Sequence, residues 1–176
     1  MPSKGAIHVY GCPIHQVLVN APLKSVFDYV SDLTRHPEWS GGRLEIEAVT
    51  PGPVAVGREY ISHGDAAAQK ERPNTVQVTQ YQSPHRFAFV SKDPDFGNVP
   101  HEFTFTGQTG GVLITRTITV TLNPFVAFAF RFFIYPFIGS PSMNKSLATL
   151  KAKLEDKVEV PYQSYKQQLF SRSFSR

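Results

Sequence analysis

The feature that most constrains this chain is its last long apolar stretch, Leu122 to Asp156. The first half, Phe125 to Ile138, is apolar almost throughout and holds Phe125, Phe128, Phe130, Phe132, Phe133, Tyr135 and Phe137. The second half carries Met143, Leu147, Leu150 and Leu154, spaced four, three and four. That is one stripe of a 3.6-residue period, with Lys145, Lys151, Lys153 and Glu155 on the other faces. Asn123-Pro124 marks the start, because Asn can cap and Pro is tolerated at the first helical position. Pro136 and the Gly139-Ser140-Pro141 cluster are expected to kink or break the middle, since Pro removes a backbone donor and clashes one turn back. The stretch reads as one long, interrupted helix, ending near Asp156, that buries a very aromatic face. The chain upstream is then the surface on which it packs.

A membrane span is the competing reading of the same stretch. Leu122 to Ile138 is a 17-residue run, at the short limit for crossing a bilayer. Arg131 near its middle would cost roughly 2.5–3.5 kcal/mol to insert, and Pro136 follows. A buried or partly lipid-touching helix is the expectation.

Upstream, Ile14 to Asn20 is rich in β-formers and reads as a strand. Ala21-Pro22 opens a short helix with Val26, Phe27, Tyr29 and Val30 on its apolar face and Asp28 and Asp32 on its polar one. Leu33 to Trp39 is a second short turn or helix, broken at Pro37, and Leu44 to Val49 alternates as a half-buried strand. Arg58–His63, Thr75–Tyr81, Arg86–Ser91, His101–Thr106 and Val112–Leu122 follow as strands. Pro51-Gly52-Pro53, Gly57, Arg72-Pro73-Asn74, Ser83-Pro84, Asp93-Pro94 and Gly110-Gly111 supply the turn chemistry. Consecutive strands on short loops imply an antiparallel meander, and helices segregated at its ends imply an α+β fold.

Length and charge narrow the class. The 176 residues fit one domain with a sizeable core. Net charge is +4, and part of the excess lies in residues 157–176, where Lys157, Lys166, Arg172 and Arg176 face only Glu159. That basic tail is expected to be solvated, with anionic membrane or nucleic acid as the minority reading. Residues 1–13 lack periodicity and read as a loose lead-in. The single cysteine, Cys12, excludes an internal disulfide and fits a reducing, cytoplasmic location; no signal peptide is apparent.

The opening VLVNAPLKSVFDYVSDLTRHPEWS carries a resemblance. Ala21, Pro22, Val26, Phe27, Asp32, Pro37 and Trp39 resemble the start of the START-like, or SRPBCC, superfamily, near its polyketide cyclase/dehydrase and lipid-transport group. Gly57, Phe103-x-Phe105, Gly110-Gly111 and Leu147/Leu150/Leu154 follow in the right order, so the similarity spans residues 14–156. It implies a helix-grip fold: a curved antiparallel sheet wrapped around the long C-terminal helix, with two short helices after the first strand and an apolar cavity between sheet and helix. The superfamily holds carriers, cyclases, hydrolases and proteins without assigned activity, so membership does not fix function.

Candidate chemistry follows from strand alternation. On Val112–Leu122 one face holds Val112, Ile114, Ile118, Val120, Leu122 and Arg116, and the other holds Leu113 and four threonines. If the apolar face points inward, Arg116 meets the cavity and can bind an acidic or carbonyl oxygen by charge-assisted hydrogen bonds. Two alternatives stand beside this: the threonine face points inward, or Arg116 pairs with a carboxylate. His101 alternates with Phe103 and Phe105, and His63 with Glu59 and Ile61; either could be a general acid or base or a hydrogen-bonded wall residue. Trp39 reads as a packing anchor, with ligand-gate lining as the alternative.

No zinc motif is present, since Phe105 stands four residues after His101, and no Cys/His cluster has metal spacing. Neither GxGxxG, nor a P-loop, nor a GxSxG elbow occurs. Metal, cofactor and nucleic acid are therefore not expected. The expected ligand is a hydrophobic or amphipathic small molecule or lipid. Its expected wall is Phe87, Phe89, Phe103, Phe105, Phe128, Phe132 and Tyr135, with Arg116, His101 and Tyr60 as polar handles. The alternatives are an aromatase/cyclase-like enzyme, and a membrane-associated or partner-binding lipid carrier with peripheral membrane contact.

Overall fold

A computed structural model describes the backbone of residues 8–11, 13–66, 69–93 and 97–173, and the side chains of 13–64, 73–92 and 97–156. Cys12 and the side chains of the basic tail lie outside the described residues. The strands are β1 (His8–Gly11), β2 (His15–Val19), β3 (Leu44–Ala48), β4 (Glu59–Ala66), β5 (Gln69–Gln82), β6 (Arg86–Asp93), β7 (Gly97–Gln108) and β8 (Gly111–Leu122). Helix α1 (Leu23–Ser31) and a 3-10 helix (Leu33–Glu38) separate β2 from β3. After β8 come α2 (Pro124–Ala129), a π-helix (Phe130–Gly139) and α3 (Ser140–Ser173).

All the strand pairings are antiparallel, in the order β1-β8-β7-β6-β5-β4-β3, with β2 also on β8. β2 takes the first half of β8, Val112 to Arg116, and β1 the second, Thr119 to Leu122. They share one edge position, so the curved sheet is seven strands wide. At the β7–β8 turn, Gly110 and Gly111 have φ of +90° and +135°. A Cβ on Gly111 would stand 2.1 Å from the Val19 carbonyl oxygen, so only glycine lets β2 end beside this turn.

One face of the sheet is apolar and covered. Val19, Tyr60, Val76, Val78, Phe87, Phe89, Phe103, Phe105, Val112 and Ile114 pack under Val26, Phe27 and Val30 of α1, Leu33, Trp39, and Leu147, Leu150 and Leu154 of α3. Phe27 meets Phe105 edge-on at 5.4 Å and Tyr81 at 5.2 Å. Polar clasps fix α3 across the sheet. Lys151 Nζ donates to Leu18 O (2.7 Å), Asn20 N–H donates to Glu155 (2.8 Å), and Ser146 Oγ donates to Trp39 O (3.1 Å). This is the helix-grip architecture.

Several local expectations are corrected. Part of the lead-in is a strand, β1, because β8 outlasts β2 and offers four further residues to pair. Arg72-Pro73-Asn74 is not a turn but lies inside β5, with Pro73 opposite His63; a proline is tolerated where the ladder does not need its N–H. The helix does not break at Pro136. Asn123 caps α2 through its side chain to the Val126 N–H (2.9 Å), with Pro124 in the first turn, and the chain then widens to π geometry, in which the Ser140 N–H reaches back five residues to Tyr135 O. The wider register absorbs a residue with no N–H to give. The helix also continues past Asp156 to Ser173.

The aromatic half does not bury its face. Phe125, Phe128, Phe132, Phe133 and Phe137 are 83, 58, 52, 63 and 75 % exposed. Sequence periodicity could not show this, because α1 and α3 already cover most of the sheet, and the segment turns only Ala127, Phe130 and Tyr135 to the small cluster on β7 and β8.

Candidate functional site

The apolar face of β8 does point inward, and Arg116 with it. Its register neighbours are His15 on β2 and Phe103 on β7, and His101 on β7 stands beside Ile118. Inward-facing Val99, His101, Arg116 and Ile118 are only half-buried, whereas Phe103, Phe105, Val112 and Ile114 further along the same strands are fully buried. Partial exposure of side chains on the concave face means that water can enter beside them. This stretch lies between the main core and a smaller cluster of Val120, Leu122 and Tyr135, to which Val99, Ile118, Ala127 and Phe130 add. The concave face is thus divided into a packed end and a polar recess.

Arg116 dominates the recess. Its guanidinium lies 5.2 Å from the Phe103 ring centroid and 5.6 Å from that of Trp39, so its positive charge is held by two aromatic faces. Among the described residues it has no carboxylate partner, and its Nε donates to nothing. Burial lowers its pKa to about 10, which leaves it charged at neutral pH. A desolvated cation without a counter-charge is costly unless an anion or oxygen completes it.

The histidines nearby are kept neutral. His36 is buried, packs at a tilt against Trp39 (4.6 Å) and donates to the Val30 carbonyl oxygen through Nε2–H (2.9 Å). Burial, reinforced by the Arg116 charge, lowers its pKa to about 3. His101 lies flat on Phe89 at 4.6 Å, and burial first, then the Arg116 charge, hold it well below the ordinary imidazole value. Its Nδ1 has no partner, nor have Trp39 Nε1, Ser40 Oγ and Asn74 Oδ1. Unpaired buried polar atoms are rare in folded proteins, and several in one region mark a place where water or a ligand completes them.

Beside Arg116 lies a relay that the sequence did not reveal. His15 Nδ1–H donates to Asn144 Oδ1 (2.8 Å), which leaves Nε2 to accept a short hydrogen bond from the Tyr135 hydroxyl. The π register turns Tyr135 inward, and Gly139 makes room, since a Cβ there would come within 2.8 Å of the Tyr135 ring.

The expected site residues therefore divide. Arg116, His101, Phe89 and Phe103 meet in the recess, and Tyr135 joins them through His15. Phe87 and Phe105 are packed core next to it. Phe128 and Phe132 are not wall residues; their rings meet at a tilt, 4.8 Å apart, on the outer surface. His63 is exposed on the outer face of β4, on the side opposite to inward-facing Tyr60 and Ser62, and is removed from the candidates. Tyr60 is buried, but beneath the Arg58 guanidinium (5.4 Å) at an open cleft of about 400 Å³ with Asp28, Asp32 and Tyr81. Its strand is four positions from β8 in the sheet, so it is no handle for the Arg116 recess. His15 alternates with Val17 and Val19, a signal that could have placed it inward; nothing in the sequence marks Asn144 or His36. Among the described residues no group of three or more His, Cys, Asp or Glu could hold a metal.

Comparison with known proteins agrees with this architecture. The family model described as polyketide cyclase/dehydrase and lipid transport matches residues 15–155. No curated protein matches the chain in sequence. Among solved structures, a protein of unknown function from Staphylococcus aureus is similar with a TM-score of 0.66 at 11 % identity, over 90 % of this chain and 99 % of that one. A Chromobacterium violaceum protein is similar with a TM-score of 0.59 at 15 % identity, over 81 % and 96 %. The di-domain ARO/CYC BexL of the BE-7585A biosynthetic pathway is similar with a TM-score of 0.64 at 16 % identity, over 84 % of this chain but 50 % of BexL.

Proposed function

As the chain belongs to the polyketide cyclase/dehydrase and lipid transport family, we propose that it binds, and carries, an amphipathic small molecule with a carboxylate or carbonyl oxygen seated on Arg116. The observation that carries this reading is the Arg116 guanidinium, set over the Phe103 and Trp39 rings with a buried Nε that has no partner among the described residues. Neutral His101 and Trp39 Nε1 supply further polar contacts, and Phe89, Val99 and Ile118 supply apolar wall. The two histidines add no second cation, so one acidic group, not a multiply charged ligand, matches the recess.

The test compares a long-chain fatty acid with its methyl ester on native protein and on Arg116→Met. A charge-assisted hydrogen bond contributes about 1.5–3 kcal/mol, so the acid should bind wild type roughly 10- to 100-fold more tightly than Arg116→Met. The ester should be affected less. Equal acid affinity for both proteins removes Arg116 from the site. Native mass spectrometry of protein purified from its own host would identify the resident molecule.

A second reading has its own support: the Asn144–His15–Tyr135 relay is a paired acid and base beside Arg116. In a cyclase-like reaction Tyr135 would exchange a proton with an enolisable carbonyl while His15 takes up or returns it, and Arg116 would stabilise the enolate oxygen. Turnover of a poly-β-ketone thioester that fails in Tyr135→Phe but not in Phe133→Ala would favour the enzyme over the carrier.

A further inference from the structure

We propose that the α2–π segment, Pro124 to Gly139, is a docking surface for an anionic membrane, lying in the plane of the interface rather than crossing it. This goes beyond the ligand reading and does not depend on it. The π register places Phe128, Phe132, Phe133 and Phe137 at spacings of four and five, and with Phe125 they form one exposed aromatic surface. At roughly 200 Å² per residue, these five phenylalanines expose about 660 Å², at or above the largest apolar patch of a typical monomer.

Two observations select a lipid surface. The first is charge. Between Glu102 and Glu155 the chain has no acidic residue, while Arg116, Arg131, Lys145, Lys151 and Lys153 are cationic. Arg116 is internal and Lys151 is paired with Glu155, which leaves Arg131, Lys145 and Lys153 on the surface with no ion pair among the described residues. Arg131 lies against the Phe132 ring at 5.8 Å, within the apolar surface itself. Aromatic rings with a cation among them, followed by a helix with Lys145 and Lys153 on its surface, match the boundary between headgroups and acyl chains of an anionic bilayer.

The second is tethering. By length and composition Pro124–Asp156 could cross a membrane. Its second half, however, buries Leu147, Leu150 and Leu154 on the sheet, and Tyr135 is buried against His15. Ahead of the Tyr135 anchor only Pro124 to Ile134 remain, about 17 Å at helical rise, far short of the ~30 Å hydrocarbon core. Held at both ends, the segment lies flat.

The test is flotation of the full chain with vesicles of phosphatidylcholine alone and of an equimolar mixture with phosphatidylglycerol. Binding to the mixed vesicles should be at least tenfold stronger and weaken with salt. Phe128→Ser/Phe133→Ser/Phe137→Ser should lose at least tenfold of it. The indole of a Phe133→Trp variant should be quenched by brominated lipid, a readout that holds even if the triple variant misfolds. No flotation of wild type, equal binding to neutral vesicles, or an unquenched indole in the Phe133→Trp variant would overturn the proposal. So would a wild-type dimer that the triple variant converts to monomer, which would make the surface an interface between two copies.

Discussion

The two halves of the C-terminal helix share an apolar character and meet opposite fates. Leu147, Leu150 and Leu154 are sealed against the sheet, while Phe125, Phe133 and Phe137 are among the most exposed large side chains of the described chain. Hydrophobicity does not separate them, since the exposed half is the more apolar. Position does. The leucine stripe lies over β2 and is clasped by Lys151, Glu155 and Ser146. The aromatic half follows the end of β8, next to the edge strand β1, with Ala127, Phe130 and Tyr135 turned to the small second cluster. An apolar sequence thus specifies burial only when a complementary surface remains uncovered. Otherwise it specifies a surface.

The contrast should be largest in stability. Leu150→Ala should cost about 2–5 kcal/mol, as for a core leucine that leaves a cavity. Phe133→Ala should stay within about 0.5 kcal/mol, as for a surface residue away from special features. Urea unfolding of both variants measures the difference; a large loss from Phe133→Ala would mean that the aromatic half is core.

Acid should act next on the packed core, because His36 is buried there against Trp39, Phe89 and Phe103. The His36 pKa falls from 6.5 in the unfolded chain to about 3 in the folded state. A depressed value means that this stability is fully present above pH ~6.5 and is lost as pH falls toward ~3. By pH 5 the His36 contribution to the loss should be roughly 2 kcal/mol in order of magnitude, on top of what His101 adds, so the total loss should be smaller by about that amount in His36→Gln. Stability curves at pH 7 and pH 5 test this; equal losses in both proteins would place the acid sensitivity elsewhere.

A smaller loss than that of Leu150→Ala should follow from Tyr135→Phe, which removes the inward hydrogen bond to His15 that tethers the aromatic half. Removing one partner of a buried hydrogen bond costs about 1–3 kcal/mol, less if water replaces the hydroxyl. The expected change is near 1 kcal/mol in global stability, with local loosening around residues 130–139. An unchanged exchange rate there would show that the aromatic packing of Phe130 suffices.

Much of this architecture was legible in the residues. Period-two alternation grouped His101 with Phe103 and Phe105, and Arg116 with the apolar side of its strand, while leaving open which side turns inward; the 4-3-4 leucine spacing identified the gripped helix. Asn123-Pro124 and Gly110-Gly111 fixed a cap and a turn through local chemistry alone. Long-range placement was not legible. Tyr60 belongs to the same face as Arg116, yet the sheet's width separates them. Phe128 and Phe132 have the composition of a cavity wall, but which side of a helix is covered depends on what else covers the sheet. Pro136 announced an interruption; that it would be met by a π register instead of a break depends on the Tyr135–Gly139 fit and on both ends being held. His15 and Asn144, 129 positions apart, meet only in the fold.

The division of the helix is most directly tested by backbone hydrogen exchange, residue by residue, with and without equimolar phosphatidylcholine–phosphatidylglycerol vesicles. Amides from Phe125 to Ile134 should exchange faster than those from Leu147 to Leu154, because the wider π turns are exposed and lack tertiary cover. Vesicles should slow the first set and leave the second unchanged. Equal protection in both halves, indifferent to lipid, would contradict the account and return the aromatic segment to plain core.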